Sequence, residues 1–265
     1  MYYRMIKPTA ALSPWVECYW QVQFESGLNV KEETILPNGK VEMIFALQGN
    51  YQVVNRKTKH VKEAWLSGLQ LEPLHIEYSG TSNLVGIRFK PYGLFPFLTI
   101  PICETANFVE PCSDIFGSVY QQLYDVLLQL NHESYIGQSI DHFLLNLINE
   151  MKTKQYKLMK EISSQLQKNS NQAISDLALN LGYTERHLTR LCRDQFGVSP
   201  KMIARIFRFE RALSNLFGCP DAPNVNRAIE LGFYDQSHFL KEFKRFSGMT
   251  PEVYKQKAKN ASNFL

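Results

Sequence analysis

The stretch Leu-Gly-Tyr-Thr-Glu-Arg-His-Leu at residues 181–188 occurs a second time, as Leu-Gly-Phe-Tyr-Asp-Gln-Ser-His-Phe at residues 231–239. Both copies run on to a closing signature, Phe-Gly-Val-Ser-Pro at 196–200 and Phe-Ser-Gly-Met-Thr-Pro at 246–251. The closing prolines lie 51 residues apart, and the second copy has one extra residue in its turn. This repetition predicts two similar helical units within one short segment.

In the first copy, apolar residues spaced by three and four predict a short amphipathic helix, formed by Ile174, Leu177, Ala178 and Leu181. Gly182 supplies a residue that tolerates a positive φ at the helix end, and Thr184 can cap a second helix. At about 100° per residue, that second helix has an apolar side and a basic side. The inner residues are Leu188, Leu191, Cys192 and Gln195, and the outer ones are Arg186, Thr189, Arg190 and Arg193. The pattern predicts a helix-turn-helix unit.

The second copy repeats this arrangement with different outer residues. Asp235 is the predicted cap, and Phe239, Phe243 and Phe246 are predicted to face inward. The predicted outer side carries Gln236, Ser237, His238, Leu240, Lys241, Lys244 and Arg245. Between the copies, Ser199 and Pro200 open a predicted helix that extends to about residue 217. That helix is apolar on nearly all sides, which predicts a position wedged between the two units.

With these motifs in view, the segment resembles the DNA-binding domain of AraC-type transcription regulators, over about residues 156–257. The resemblance implies two recognition helices in the major groove of double-stranded promoter DNA. The positions that match the family's contacts are Arg186, Thr189 and Arg190 in the first helix and Gln236, Ser237, His238, Leu240 and Lys241 in the second. The predicted DNA-binding set also includes the cationic residues Arg193 and Lys244. The resemblance further implies transcriptional activation together with RNA polymerase. In that role, Arg186 and Arg190 suit guanine, Gln236 suits adenine, and Leu240 suits a thymine methyl group. Arg227, where the family pattern has an aliphatic residue, predicts a short or shifted first helix in the second unit.

The overall charge of +4 is unevenly distributed along the chain. Residues 157–259 hold 17 Lys and Arg against 10 Asp and Glu, whereas residues 1–156 hold 12 against 15. The two parts therefore carry about +7 and −3. The basic part contains the repeated motif, as a polyanionic partner requires.

The first hundred residues predict short β-strands rich in aromatic and β-branched side chains, at 16–24, 41–47, 51–54, 64–69, 74–78 and 84–89. Turns are predicted at Pro37-Asn38-Gly39, Gly49-Asn50 and Ser79-Gly80. Closely spaced strands of this kind favour a small barrel or sandwich. The runs that begin at Leu36 and Gly86 resemble the cupin-like sensor domains that precede AraC-type DNA-binding domains. That resemblance implies a small-molecule effector but transfers no ligand-binding residue.

Helical periodicity replaces the strand pattern at about residues 115–151. The predicted apolar faces are Val119, Leu123, Val126 and Leu130 in one helix, and Ile136, Ile140, Phe143, Leu147 and Met151 in the next. These helices either pack on the barrel or form the seam of a homodimer. The predicted class is therefore α+β, with a regulatory domain at 1–151, β-rich to about 105, a polar linker at 152–157, and an all-α DNA-binding domain at 157–257.

Several site classes are disfavoured by the sequence. Five scattered cysteines indicate a reducing, cytoplasmic setting, and the longest uncharged apolar run, 91–103, is too short to cross a bilayer. The six histidines show no metal-ligand pair spacing, so neither a metal nor another cofactor is predicted. Cys192 is predicted to be a small core residue, and Trp15, Trp20 and Trp65 are also predicted to belong to cores.

Two other functions remain open at the sequence level. Some proteins with this type of DNA-binding domain carry a DNA-repair alkyltransferase domain whose nucleophile lies in a Pro-Cys-His-Arg run. Here Pro111-Cys112 continues as Ser113-Asp114, which lacks the histidine, so no enzyme activity is predicted. The other alternative is a regulator that a protein partner controls instead of a metabolite.

Overall fold

A computed structural model describes residues 2–25, 30–54, 58–130, 132–218 and 225–260. Within these ranges an antiparallel sheet comes first and helices follow, and the predicted α+β class is confirmed. The strands are β1 (Tyr2–Ile6), β2 (Val16–Glu25), β3 (Lys31–Ile35), β4 (Val41–Val54), β5 (Thr58–Val61), β6 (Ala64–Ser67), β7 (Leu74–Phe89) and β8 (Val109–Pro111).

The long strands β4 and β7 pair along the centre of the sheet. On the side away from β4, the first part of β7 pairs with β3 and the second part pairs with β2. Strand β1 pairs with β2 and forms the outer edge there. On its other edge, β4 pairs with β6 and then β5, and β8 extends β6. Each central strand thus pairs with two different strands along its outer side.

The turns predicted at Gly49-Asn50 and Ser79-Gly80 are wrong, because β4 and β7 run through both positions. The register between the strands shifts there, and Gly49 and Gly80 adopt φ values of +108° and +82°. Glycine in a strand often marks a bulge or bend of this kind. Four predicted strands therefore merge into two, and the short strands β1, β3, β5 and β8 were not predicted.

Strand alternation sorts side chains onto two faces of the sheet. Tyr19 joins the large core beneath the helices, whereas its neighbour Trp20 joins a second cluster with Tyr51, Trp65 and Tyr78. Trp15, Trp20 and Trp65 are all buried, as predicted. A cavity of about 20 Å³ beside Trp65 has room for about one water molecule.

The helices are α1 (Cys112–Phe116), α2 (Val119–Gln129), α3 (Ile136–Leu147), α4 (Glu150–Thr153), α5 (Tyr156–Lys168), α6 (Ile174–Asn180), α7 (Glu185–Phe196), α8 (Pro200–Gly218), α9 (Val225–Glu230), α10 (Gln236–Ser247) and α11 (Pro251–Asn260). None of the described helices combines the length and apolar character needed to cross a bilayer.

The apolar face predicted for α2 is wrong in part. Leu123 is buried, but Val119 and Val126 are 39% and 44% exposed. Tyr120 is buried instead, and its hydroxyl donates to the Glu63 carboxylate at 2.8 Å. Helix α2 is therefore rotated about its axis relative to the prediction, so that the side carrying Tyr120 faces the core. In α3, Ile136, Ile140 and Phe143 are buried as predicted, whereas Met151 is exposed in the separate helix α4.

The segment predicted to be a linker is mostly helical and is held against the sheet domain. Only Lys154 and Gln155 separate α4 from α5. Lys152 Nζ donates to the Leu98 carbonyl at 2.6 Å and lies 4.9 Å from the centre of the Phe95 ring. The large core is continuous through this junction and includes residues of both the sheet domain and the C-terminal helices.

Candidate nucleic-acid interface

The first helix-turn-helix unit consists of α6, a tight turn and α7. Gly182 has a φ of +76°, and the Tyr183 amide donates to the Ala178 carbonyl at 2.8 Å to close the turn. Thr184 Oγ1 accepts the His187 amide at 3.2 Å and so caps α7. The glycine turn and the threonine cap are confirmed, and together they fix the angle at which α7 begins.

Helix α7 separates its residues as the sequence predicts. Leu188, Leu191, Cys192 and Gln195 are buried, and Arg186, Arg190 and Arg193 are exposed, with Thr189 partly exposed. His187 stacks on Tyr183 with ring centres 5.1 Å apart and an angle of 10° between planes. Its Nδ1 lies 3.2 Å from the Arg190 guanidinium and can accept from it. This contact favours one orientation of the Arg190 side chain.

The second unit follows the same plan around α9 and α10. Asp235 accepts the His238 amide at 2.7 Å and caps α10. Phe239, Phe243 and Phe246 are buried, as predicted. The exposed side chains are Gln236, Ser237, Lys241, Lys244 and Arg245, while His238 and Leu240 are partly exposed. Helix α9, the first helix of this unit, has six residues and is short, as predicted. The side chain of Arg227, on which that prediction was based, lies outside the described residues.

Helix α8 connects the two units. It begins at Pro200 after Ser199, whose hydroxyl accepts the Met202 amide at 3.3 Å. Phe209 packs against Phe243 and Phe246 of α10, with ring centres 5.4 and 5.1 Å apart. The predicted position between the two units is confirmed.

Comparison with known families agrees with this geometry. Residues 159–257 match a family model described as a helix-turn-helix domain, and residues 4–111 match one described as a domain of unknown function. The C-terminal segment is an AraC-type helix-turn-helix domain. The predicted helix-turn-helix assignment of residues 159–257 is therefore confirmed.

Similar solved structures include ToxT from Vibrio cholerae O395, with 12% identity, a TM-score of 0.49, and coverage of 92% of this chain and 99% of that one. ToxT from Vibrio cholerae strain SCE256 bound to an unsaturated fatty acid has 11% identity, a TM-score of 0.46, and coverage of 92% and 96%. A cupin domain of an XRE-family transcriptional regulator from Enterobacter cloacae has 9% identity, a TM-score of 0.25, and coverage of 33% and 93%. None of the curated proteins matches the chain.

The sheet domain packs directly against the first recognition helix of the AraC-type domain. The 3₁₀ turn Ile102–Thr105 lies on α7, and a Cβ added at Gly197 would come within 2.9 Å of the Ile102 carbonyl oxygen. Tyr92 meets Phe196 edge-on, with ring centres 5.8 Å apart. Beside this contact a groove of about 680 Å³ has Arg190 and Arg193 on one wall and residues 99–103 on the other.

Cys112 lacks the surroundings of a nucleophile. Its side chain is fully buried at the start of α1, and this burial raises the pKa of its thiol. A raised pKa keeps the thiol protonated and unreactive. Cys192 is buried in the same way on the inner side of α7, as the sequence predicts.

An acidic residue on the inner face of α10 was not predicted from the sequence. Glu242 is 2% exposed and binds Arg205 and Arg208 of α8. A signal was available, because Glu242 falls between Phe239, Phe243 and Phe246 on the side predicted to face the core. A carboxylate at such a position requires a buried cationic partner.

Proposed function

We propose that this chain is a sequence-specific DNA-binding transcription regulator, an activator of a promoter that it occupies with both helix-turn-helix units. The observation that carries this proposal is the pair of capped recognition helices, each with a polar and basic outer side, held on the single helix α8. Their exposed side chains are available to a ligand without rearrangement of the cores.

Within this proposal, the outer residues divide by the part of DNA that suits them. Arg186 and Arg190 can each donate two hydrogen bonds to guanine, and Gln236 suits adenine, each pair giving about 1–3 kcal/mol of discrimination. Arg193, Lys241 and Lys244 suit phosphates, which set affinity and make it dependent on salt. Thr189, Ser237, His238 and Leu240 complete the proposed contact set.

The test is selection of duplexes from a random pool by the full chain. We expect an asymmetric site with two conserved boxes about 10–10.5 base pairs apart, bound with a steep salt dependence. Arg190→Ala should weaken binding to that site about 10-fold or more while changing binding to random DNA much less. Lys168→Ala removes an exposed positive charge outside both recognition helices and is the matched control.

Equal losses on selected and random DNA would remove Arg190 from base recognition. A pool that yields no consensus would contradict the proposed function as a whole.

We further propose that the sheet domain controls the DNA-binding domain through the contact on α7. The groove of about 680 Å³ beside Arg190 is much larger than the cavity of about 20 Å³ beside Trp65, which supports the groove as the place where an effector acts. A ligand there would bias the position of α7 by binding one arrangement more tightly than another. Thermal-shift screening of the full chain tests this, and a binder that leaves DNA affinity unchanged would count against it.

Control by a protein partner, or by a second copy of the chain, is a separate candidate supported by a different observation. Helix α2 exposes Val119, Val126 and Leu128, which are 39%, 44% and 49% accessible. Sedimentation of the full chain distinguishes a monomer from a homodimer. Purification from its native cells tests for a bound partner, including RNA polymerase.

A further inference from the structure

Two guanidinium groups from the connecting helix α8 converge on one carboxylate of the second recognition helix. Arg208 donates to Glu242 Oε2 through Nη2 at 2.8 Å and through Nε at 3.1 Å, and Arg205 Nε donates to Oε1. The Glu242 side chain is 2% exposed and that of Arg208 is 10% exposed. Both oxygens of Glu242 are therefore engaged in charge-assisted hydrogen bonds, which are directional.

The same arginine also reaches the first helix-turn-helix unit. Arg208 Nη1 donates to Asn171 Oδ1 at 2.8 Å, just before α6, and to the Gly232 carbonyl at 3.2 Å, in the turn of the second unit. These two segments touch, because a Cβ added at Gly232 would lie 2.6 Å from Asn171 Nδ2. One guanidinium thus joins the entry of the first unit, the turn of the second unit and the second recognition helix.

The network extends to the outer side of α10 through His238. Its Nδ1 accepts the Tyr234 amide at 3.2 Å, so in the neutral ring the proton lies on Nε2. Nε2 lies 3.8 Å from Glu242 Oε2. The partly exposed ring is held between the turn and the buried carboxylate.

Apolar packing alone would leave the angle of α10 on α8 loosely defined. The phenylalanine contacts between these helices are non-directional, since burial of apolar area depends weakly on a small rotation. Hydrogen bonds to both carboxylate oxygens instead define a rotation and a translation. Buried ion networks add little net stability, but some specify a single arrangement of the elements they join.

We propose that Arg208 and Glu242 are positioning residues that fix the register between the two recognition helices, so that the protein measures the spacing between two half-sites on DNA. This inference rests on the proposed function. One extra base pair between the half-sites turns the second by about 34–36° and moves it by about 3.4 Å. Two recognition helices held rigidly relative to each other cannot follow that displacement without losing contacts with DNA. Two loosely joined recognition helices can follow it.

The test uses the full chain and the duplex that it selects from a random pool. Binding is measured to that duplex and to versions with one base pair added to or removed from the spacer. We expect the wild-type protein to lose affinity about 10-fold or more on either change. Arg208→Met combined with Glu242→Leu should reduce that loss to about 3-fold or less while the thermal midpoint stays close to wild type.

Arg211→Met is the matched control, because Arg211 lies on the same helix but donates to the Gln167 carbonyl at 2.6 Å instead of binding α10. It should keep the full spacing penalty. If the double variant does not fold, Glu242→Gln and Arg208→Lys test the same point, since each keeps the size of the side chain and weakens the paired hydrogen bonds. Each should lower the spacing penalty at least about 2-fold.

A folded variant that keeps the wild-type spacing penalty would overturn the inference while leaving the proposed function intact. A wild-type protein that selects no sequence would instead overturn the proposed function. A uniform loss of affinity at every spacing, with no change in the penalty, would show that Arg208 and Glu242 only stabilise the fold, and it would also overturn the inference.

Discussion

Replacing Gly197 by alanine should disturb the junction between the sheet domain and the first recognition helix. Gly197 ends α7 with a φ of +80°, in the left-handed region, where any residue with a Cβ loses about 1–2 kcal/mol. The new Cβ would also lie 2.9 Å from the Ile102 carbonyl oxygen, closer than such atoms normally approach. The two effects should add, because one is local to the backbone and the other requires the domains to separate slightly.

Gly182 provides a matched control within the same unit. Its φ of +76° is nearly the same, but a Cβ added there meets no atom within 4 Å. Gly182→Ala should therefore cost only the backbone part, about 1–2 kcal/mol. Gly197→Ala carries a further overpacking cost of about 1–3 kcal/mol, for a total of about 2–5 kcal/mol.

Thermal and urea denaturation of the two full-length variants measure this difference. At about 2–4 °C for each kcal/mol, Gly197→Ala should lower the melting temperature several degrees more than Gly182→Ala. Equal losses of stability would refute the reasoning. That result would mean that the Ile102–Thr105 turn is not closely packed against α7. The sheet domain would then not fix the position of the first recognition helix.

Two further predictions concern the cap of α7 and the buried carboxyl group of Glu210 on α8. Thr184→Ala removes the side-chain acceptor of the His187 amide and should cost about 1 kcal/mol in urea denaturation, whereas Thr189→Ala on the same helix should not. Burial raises the pKa of Glu210 from 4.5 to about 7, with Lys40 opposing the shift. Because the folded state holds this proton more tightly, stability should fall as pH rises from about 4.5 to about 7. Glu210→Gln should flatten that part of the profile, and an unchanged slope would contradict the assignment.

The helix-turn-helix units could be predicted from the sequence because their determinants are local. A cap such as Asp235 satisfies amides three residues away, and a glycine such as Gly182 is needed wherever φ turns positive. The outer and inner sides of α7 follow from helical periodicity alone. For this reason the exposed positions of Arg186 and Arg190 agree with prediction, while their contacts with bases stay a prediction.

The sheet was harder to predict because its strands depend on distant partners. Gly49 and Gly80 are turn-forming residues, yet the pairing of β4 with β7 resumes on both sides of them, so the strands continue through a bend at positive φ. Strand β3 reads as a polar, exposed segment and becomes a strand by pairing with the first half of β7. Local propensity is a weak guide where pairing decides the structure.

Hydrogen bonds between side chains of different helices and strands could also not be predicted from the sequence. Nothing near Tyr120 indicates that its hydroxyl binds Glu63, so the rotation of α2 could not be predicted. The meeting of Arg208 with Glu242 depends on how α10 crosses α8, 34 residues further along the chain. Only the inward position of Glu242 could have raised the question.

The continuous core limits how the sheet domain can control DNA binding. Phe196 and Phe207 of the AraC-type domain are buried, and both lie beside the sheet domain, at Tyr92 and Gly39 respectively. Exposing Phe196, Phe207 and Tyr92 would cost about 5–9 kcal/mol at about 1.5–3 kcal/mol each. That cost is comparable to the whole stability of a domain, about 5–15 kcal/mol.

Full separation of the domains would therefore be too costly a step for the control that we propose. We expect a small shift at the interface instead, because α8 presents Ile206 and Phe207 toward Gly39 and presents Arg205 and Arg208 toward α10. A displacement of the sheet domain on one side of this helix would reach the ion network on its other side. Both recognition helices would then respond together to one signal, which is the behaviour that control of a two-part DNA site requires.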